Sequence, residues 1–106
     1  MAEVTDSKLL HIDTGILKKD ACIVLVKTEW NARITDQLEM GCIAELEKLG
    51  VKKTVVITVP GAFEIPFAIK NYYETAGKKN KADAFIALGC VIKGDTPHFE
   101  YVCQAI

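Results

Sequence analysis

The stretch ACIVLVKT, residues 21–28, decides the fold. It is a continuous run of apolar and β-branched side chains at strand length, without the alternation of a strand wetted on one face. Such a run suits a strand covered on both sides, and strands of that kind belong to parallel sheets. Two similar runs follow, TVVITV at 54–59 and AFIALGCVI at 84–92. Between the first two, from Ile34 onward, apolar residues recur at Leu38, Cys42, Leu46 and Leu49, the spacing of one helical face. Gly50 is placed to end that helix in a left-handed cap. Pro60-Gly61 breaks the second strand. Residues 62–76 then read as a helix, with Pro66 tolerable only in its first turn, Ala68, Ile69, Tyr72 and Tyr73 behind it, and Gly77 as its stop. Residues 78–81 are a polar loop, 93–97 a turn, and a last helix begins at about Phe99. Alternating strands and helices with doubly apolar strands predict an α/β fold. It is a three-layer α/β/α sandwich with a parallel sheet, flavodoxin-like, joined by right-handed crossovers.

Composition narrows the function. With 106 residues, 50% hydrophobic and 25% charged, the chain has the make-up of one globular domain. A net charge of -1, with both signs scattered, gives no electrostatic footprint for nucleic acid or an anionic membrane. The longest apolar runs fall short of the ~20 residues of a membrane-spanning helix, and the N-terminal stretch lacks the basic start of a signal peptide, so a cytoplasmic location is expected. Cys22, Cys42, Cys90 and Cys103 are widely spaced, with no C-x-x-C pair and no histidine at metal-ligand spacing. They read as reduced, buried thiols, with no metal site. Residues 1–20 have little periodicity and read as an arm whose patches Leu9-Leu10 and Ile16-Leu17 suit a neighbouring surface.

Ligands of such sheets bind beyond the carboxyl ends of the strands. The chemistry is therefore expected in residues 28–31, 60–64 and 93–98. Trp30 is either a packing anchor or a stacking surface. Asn31 is a natural helix N-cap. Gly61 permits a turn, while Glu64 either complements a helix N-terminus or accepts hydrogen bonds from a polyol. Gly94, Asp95 and Thr96 lie between a strand and a helix start, where free amides and the helix dipole favour phosphate, although such turns are common without a ligand. Asp95 carries the wrong charge and must point away, and Lys93 adds attraction. His98 follows this turn directly, and its imidazole suits proton transfer near neutrality. His11, in the arm, has no such context.

Three blocks together carry a resemblance. Trp30-Asn31 followed by Ile34-Thr35, VPGAFEIP at 59–66, and LGCVIKGDTPHFEYVC at 88–103 are similar, in order and spacing, to the lumazine synthase signature. The similarity runs from about Ile12 to the last residue. It implies a transferase that condenses 5-amino-6-ribitylaminouracil with 3,4-dihydroxy-2-butanone 4-phosphate to 6,7-dimethyl-8-ribityllumazine, without a cofactor or a metal. It implies that Trp30 stacks on the pyrimidine, and that Ala62, Phe63 and Glu64, with Val91 and Ile92, bind that substrate. Gly94, Asp95 and Thr96 would hold phosphate, and His98 would be catalytic. The family forms homo-oligomers, pentamers or icosahedral shells of pentamers, with sites between subunits.

The sequence departs from the family at its end, where 99–106 has only begun a helix. A later phosphate-binding arginine, and a later aromatic given by a neighbouring subunit, have no counterpart. The chain is thus expected to be a fragment with an unpaired sheet edge. A Trp, a carboxylate and a phosphate turn also suit a non-catalytic flavin- or lumazine-binding module or a structural shell subunit.

Overall fold

A computed structural model describes residues 17–106. Its centre is β1 (Cys22–Thr28), flanked by two parallel partners, β2 (Lys53–Val59) and β3 (Ala84–Leu88), in the order β2-β1-β3. Cys22 pairs with Lys53 and Thr28 with Val59 on one side, and Ile23 with Ala84 and Lys27 with Leu88 on the other. Alternate side chains of β1 serve two cores. Cys22, Val24 and Val26 pack with Val59, Ala62 and Ile65, and against Ala68, Ile69 and Tyr72 of α2 (Ile65–Thr75). Ile23 and Leu25 face the other way, onto Leu46, Val51 and Leu88 and onto Cys42 and Ile43 of α1 (Ala32–Lys48). The β1 to β2 step and the β2 to β3 step cross the sheet in opposite directions. Crossovers of one hand therefore put α1 and α2 on opposite faces, which gives the three layers. Among the described residues no helix is long and apolar enough to cross a membrane.

Local chemistry sets the element ends. Gly50, at φ 87, closes α1: its N–H donates to the Glu47 carbonyl and the Val51 N–H to that of Leu46, both at 3.0 Å. This is a Schellman motif whose hydrophobic contact is Leu46 with Val51. The expected apolar stripe of α1 is buried only in part, for Ile34 and Leu38 are each 44% exposed. Strict four-residue spacing winds about 40° per step around a helix of 3.6 residues per turn. The line that meets the sheet instead runs through Thr35, Cys42 and Leu46. Lys27, the one charged residue of β1, donates to Asp36 at 2.9 Å and meets the Glu39 carboxylate, so it fastens strand to helix. Those bonds, Glu39's first and then Asp36's, hold its ammonium above the usual lysine range.

Six expectations need correction. The helix foreseen over 62–76 begins as a separate 3-10 turn, Ala62–Glu64. Pro66 has no N–H to offer the Ala62 carbonyl, which accepts from Ile65 instead. That helix ends with Ala76 in extended backbone, and Gly77, at φ -71, uses none of its conformational freedom. The loop 78–81 contains a short 3-10 turn, Lys78–Asn80, whose end receives the Tyr72 hydroxyl at the Asn80 carbonyl, 2.6 Å. β3 stops at Leu88, opposite Lys27, rather than at Ile92: the next residue, Gly89, meets Thr28 through the threonine hydroxyl and not through a ladder bond. The last helix, α3, is His98–Ala105, one residue earlier than expected. The cysteines are all free, but only Cys22 is buried, and Cys103 on α3 is exposed. The arm and His11 lie outside the described residues, except for residues 17–20, which are exposed.

Asp83 sets the register of β3. Its N–H donates to the Cys22 carbonyl, and its carboxylate accepts the Cys22 N–H, each at 2.8 Å, with Lys18 3.2 Å from the other oxygen. The Cys22 amide first, and then Lys18, hold the Asp83 carboxyl below the usual aspartate range. A depressed carboxyl stabilises the fold above its unfolded value of about 3.9, and that contribution disappears as pH falls through the lower folded value. Asp83→Asn should therefore melt below the parent at pH 6, and the gap should close as both are titrated to pH 2. Melting curves that stay equally separated down to pH 2 would exclude ionisation of Asp83 as the source.

Candidate active site

The carboxyl ends of all three strands converge on Thr28, which is 1% exposed. Its hydroxyl lies 2.8 Å from the Trp30 carbonyl and 2.9 Å from that of Gly89, the residue after β3. One proton serves both acceptors. The Thr28 carbonyl in turn accepts from the hydroxyl of Thr35, 3.0 Å away and fully buried in α1. On the other side the ladder continues past β2, with Glu29 N–H on the Val59 carbonyl at 2.7 Å and Trp30 N–H on that of Pro60 at 3.1 Å. The backbone of residue 30 is thus held by all three strand ends while its ring stays 73% exposed.

Asn31 makes this geometry possible through its backbone. It occupies the left-handed region, φ 62 and ψ 41, which asparagine tolerates better than most residues. Its carbonyl accepts from the N–H groups of Ile34 and Thr35. Asn31 holds the N-cap position as expected, but through its main chain, with no side-chain cap bond.

Trp30, Pro60, Gly61, Ala62, Phe63, Glu64 and Val102 line one open cleft of about 320 Å³. Phe63 and Trp30 are both largely exposed, so the cleft has an aromatic rim, and among the described residues Glu64 is the one polar side chain that lines it. The Glu64 carboxylate accepts the Gly61 N–H at 2.9 Å, half of a capping box, which fixes the acid beside the turn. Its second oxygen faces no hydrogen-bond partner among the described residues. Val102 brings α3 to the cleft, and His98 lies one turn earlier on the same helix face. His98 itself does not line the cleft. Its Nδ1 is 2.6 Å from Thr96 Oγ1. Gly94, Asp95 and Thr96 are exposed immediately before α3, and Lys93 pairs loosely with Glu100 at 3.9 Å. Val91 packs half-buried against the α2 core and Ile92 is exposed, so the structure does not bring these two to the cleft.

A larger apolar groove of about 700 Å³ runs between α2 and β3, past Ile69, Tyr73 and Phe85. It lies along the flank of the sheet, away from the strand ends, and gathers none of the residues that carry chemistry. The Thr28–Thr35 hydroxyl pair escaped the reading of the sequence as function. The available signal was a threonine closing an otherwise apolar strand, with a second threonine one helical turn into the next element.

Fold and cleft together define a parallel α/β protein with an open cleft beyond the carboxyl ends of its strands, the place where ligands of such sheets bind. Residues 20–106 match the family model described as 6,7-dimethyl-8-ribityllumazine synthase, and the chain belongs to that family. It is 49% identical over 86 residues to the 6,7-dimethyl-8-ribityllumazine synthase of Parabacteroides distasonis, a match covering 79% of this chain and 51% of that protein. The enzyme of the same name from Bacteroides fragilis is 45% identical over 84 residues, 77% of this chain and 56% of the relative. That of Nitrosomonas europaea is 42% identical over 98 residues, 91% and 57%. The chain spans about half the length of the curated relatives it matches.

Thr28→Val keeps the shape of the side chain and removes its proton, taking the hydroxyl away from the part-buried Trp30 and Gly89 carbonyls. A loss of roughly 1–3 kcal/mol in urea unfolding is expected. The fluorescence of Trp30, the only tryptophan, should shift at the same time. Unchanged stability and emission would show that the hydroxyl does not hold the site.

Proposed function

We propose that the cleft serves the condensation of 5-amino-6-ribitylaminouracil with 3,4-dihydroxy-2-butanone 4-phosphate to 6,7-dimethyl-8-ribityllumazine. The observation that supports it most directly is the cleft itself, which gathers an exposed aromatic ring, an anchored carboxylate and the face of α3 that begins at His98. Trp30 stacks on the flat pyrimidine, an offset π-contact worth roughly 0.5–1.5 kcal/mol beyond area burial. Ala62 and Phe63 wall the site. Glu64 keeps one oxygen on Gly61 and accepts ribityl hydroxyls with the other, in charge-assisted bonds.

The amides of Gly94, Asp95 and Thr96 and the Thr96 hydroxyl take the phosphate at the start of α3, with the Asp95 carboxylate turned away. The ring amine attacks the ketone and loses water to give an imine. Phosphate is then eliminated, and the second amine closes the ring with loss of a second water. No oxidant or reductant is consumed, so the reaction calls for no redox cofactor. His98 moves the protons, and the fixed walls hold two substrates in register.

The remaining assignments follow from the same reading. The protein works in the cytoplasm on small molecules, as a homo-oligomer built from pentamers. The exposed aromatic side chains of Phe63, Phe67, Tyr73 and Tyr101 are the apolar surface such an assembly would cover.

Mixing the chain with both substrates and following lumazine absorbance tests the function. Product formation is expected when the rest of the family domain, with its later arginine and aromatic, is supplied. Affinity for the ribityl substrate without product would instead assign the chain to a binding module. His98→Ala should slow turnover by about 10²–10⁴-fold and leave ribityl-substrate affinity nearly intact, because the imidazole moves protons and does not anchor the ligand. Unchanged turnover would remove His98 from the mechanism.

A further inference from the structure

The Thr96 hydroxyl and the His98 ring are both exposed, yet they meet at 2.6 Å, Oγ1 to Nδ1. Pro97 brings them together. Its fixed ring, at φ -75 and ψ 7, folds the chain into the first turn of α3 with one residue between them. A hydroxyl has one proton to give, and a neutral imidazole has one N–H and one lone pair. The contact therefore has two forms. In the first, Thr96 donates to the Nδ1 lone pair and the ring proton sits on Nε2. In the second, Nδ1–H donates to Oγ1, the Thr96 proton is free to go elsewhere, and Nε2 carries the lone pair.

We infer that Thr96 is a positioning residue for His98, and that phosphate on the 94–96 turn switches the ring from its Nε2–H to its Nδ1–H tautomer. This rests on the phosphate reading of that turn. A phosphate dianion only accepts hydrogen bonds, and as a charged acceptor it competes for the Thr96 proton better than a neutral imidazole does. Once the proton points at phosphate, Oγ1 presents only lone pairs to His98, and only the Nδ1–H tautomer can bond to it. The protons balance, with one N–H and one O–H before and after. The ring proton leaves Nε2 and arrives at Nδ1 through solvent.

The consequence is a base that is armed by its co-substrate. Nε2 donates while the phosphate site is empty and accepts once it is filled. The charged neighbours are Lys93, Asp95 and Glu100 on the same segment and Glu64 on the 3-10 turn packed against α3. They bear on whether the ring is charged, whereas Thr96 decides which nitrogen of the neutral ring holds the proton.

The test uses the 106-residue chain with His11→Gln, which leaves His98 as the only imidazole. Ring 15N shifts at about pH 8, where an ordinary histidine is neutral, give the tautomer ratio in chloride and in inorganic phosphate at equal ionic strength. The amide shifts of residues 94–96 report occupancy. Saturating phosphate should raise the ratio of Nδ1–H to Nε2–H by about an order of magnitude, the worth of one net hydrogen bond. Thr96→Val should abolish this response, and Thr96→Ser should restore it. Amides that shift with phosphate while the ratio stays fixed would overturn the switch and leave the phosphate reading standing. Amides that do not move at any phosphate concentration would sink the phosphate reading and the switch with it. A Thr96→Val ratio that still answers to phosphate as the parent's does would overturn the positioning role itself.

Discussion

The ligand end of this molecule depends on one buried hydroxyl. Thr28 closes β1, reaches across to Gly89 beyond β3, and holds the carbonyl of Trp30, while its own carbonyl is held by Thr35 from α1. In a sheet of three strands there is little apolar mass to fix loop geometry by packing alone. Hydrogen bonds made out of reach of water are stiff and directional, and an unmade one is costly, so they supply the definition that packing does not. The left-handed Asn31 and the exposed Trp30 ring are tolerable because their backbone is fixed on both sides.

Beneath this lies the amphipathy of β1, which presents two apolar faces to two helices. Cys22, Val24 and Val26 see only α2 and its approaches, and Ile23 and Leu25 only α1. Neither helix packs stably without the strand between them. Lys27 and Asp83 are the two places where charge enters this frame, and each serves it: Lys27 ties α1 to the strand, and Asp83 pins β3 to the strand's beginning.

The alternation of strands and helices, the three-layer arrangement and the turns that follow the three strands were legible in the sequence, because long apolar runs and punctuating Gly and Pro residues report on burial directly. Gly50 was legible as a left-handed cap for the same reason. Less legible was whatever depends on a partner far along the chain. β3 stops at Leu88 because the Thr28 hydroxyl takes the Gly89 carbonyl in place of a ladder bond, and the segment AFIALGCVI carries no mark of that limit. The separate turn at 62–64 follows from the missing N–H of Pro66, which was visible, but which carbonyl would go without was visible only from the helix register. Trp30 and residues 62–64 were placed together correctly, whereas Val91 turned into the core, since a half-apolar loop does not reveal which side it faces. Thr28 and Thr35 look like ordinary polar ends until three strands are seen to meet over them.

The pairing of β3 with β1 through Asp83 and Cys22 spans 61 residues, about twice the separation that joins β1 to β2. Chain-closure entropy grows only with the logarithm of loop length, so the doubled loop costs about 0.6 kcal/mol more to close. Neither edge strand therefore has a decisive head start. β1 works as a template that can recruit its neighbours in either order, and assembly of the sheet has two nearly equivalent routes. What separates them is timing in synthesis: β2 leaves the ribosome first and can dock with α1 already in place, so the Asp83 clasp is the last closure made, and it seals a half-built sheet.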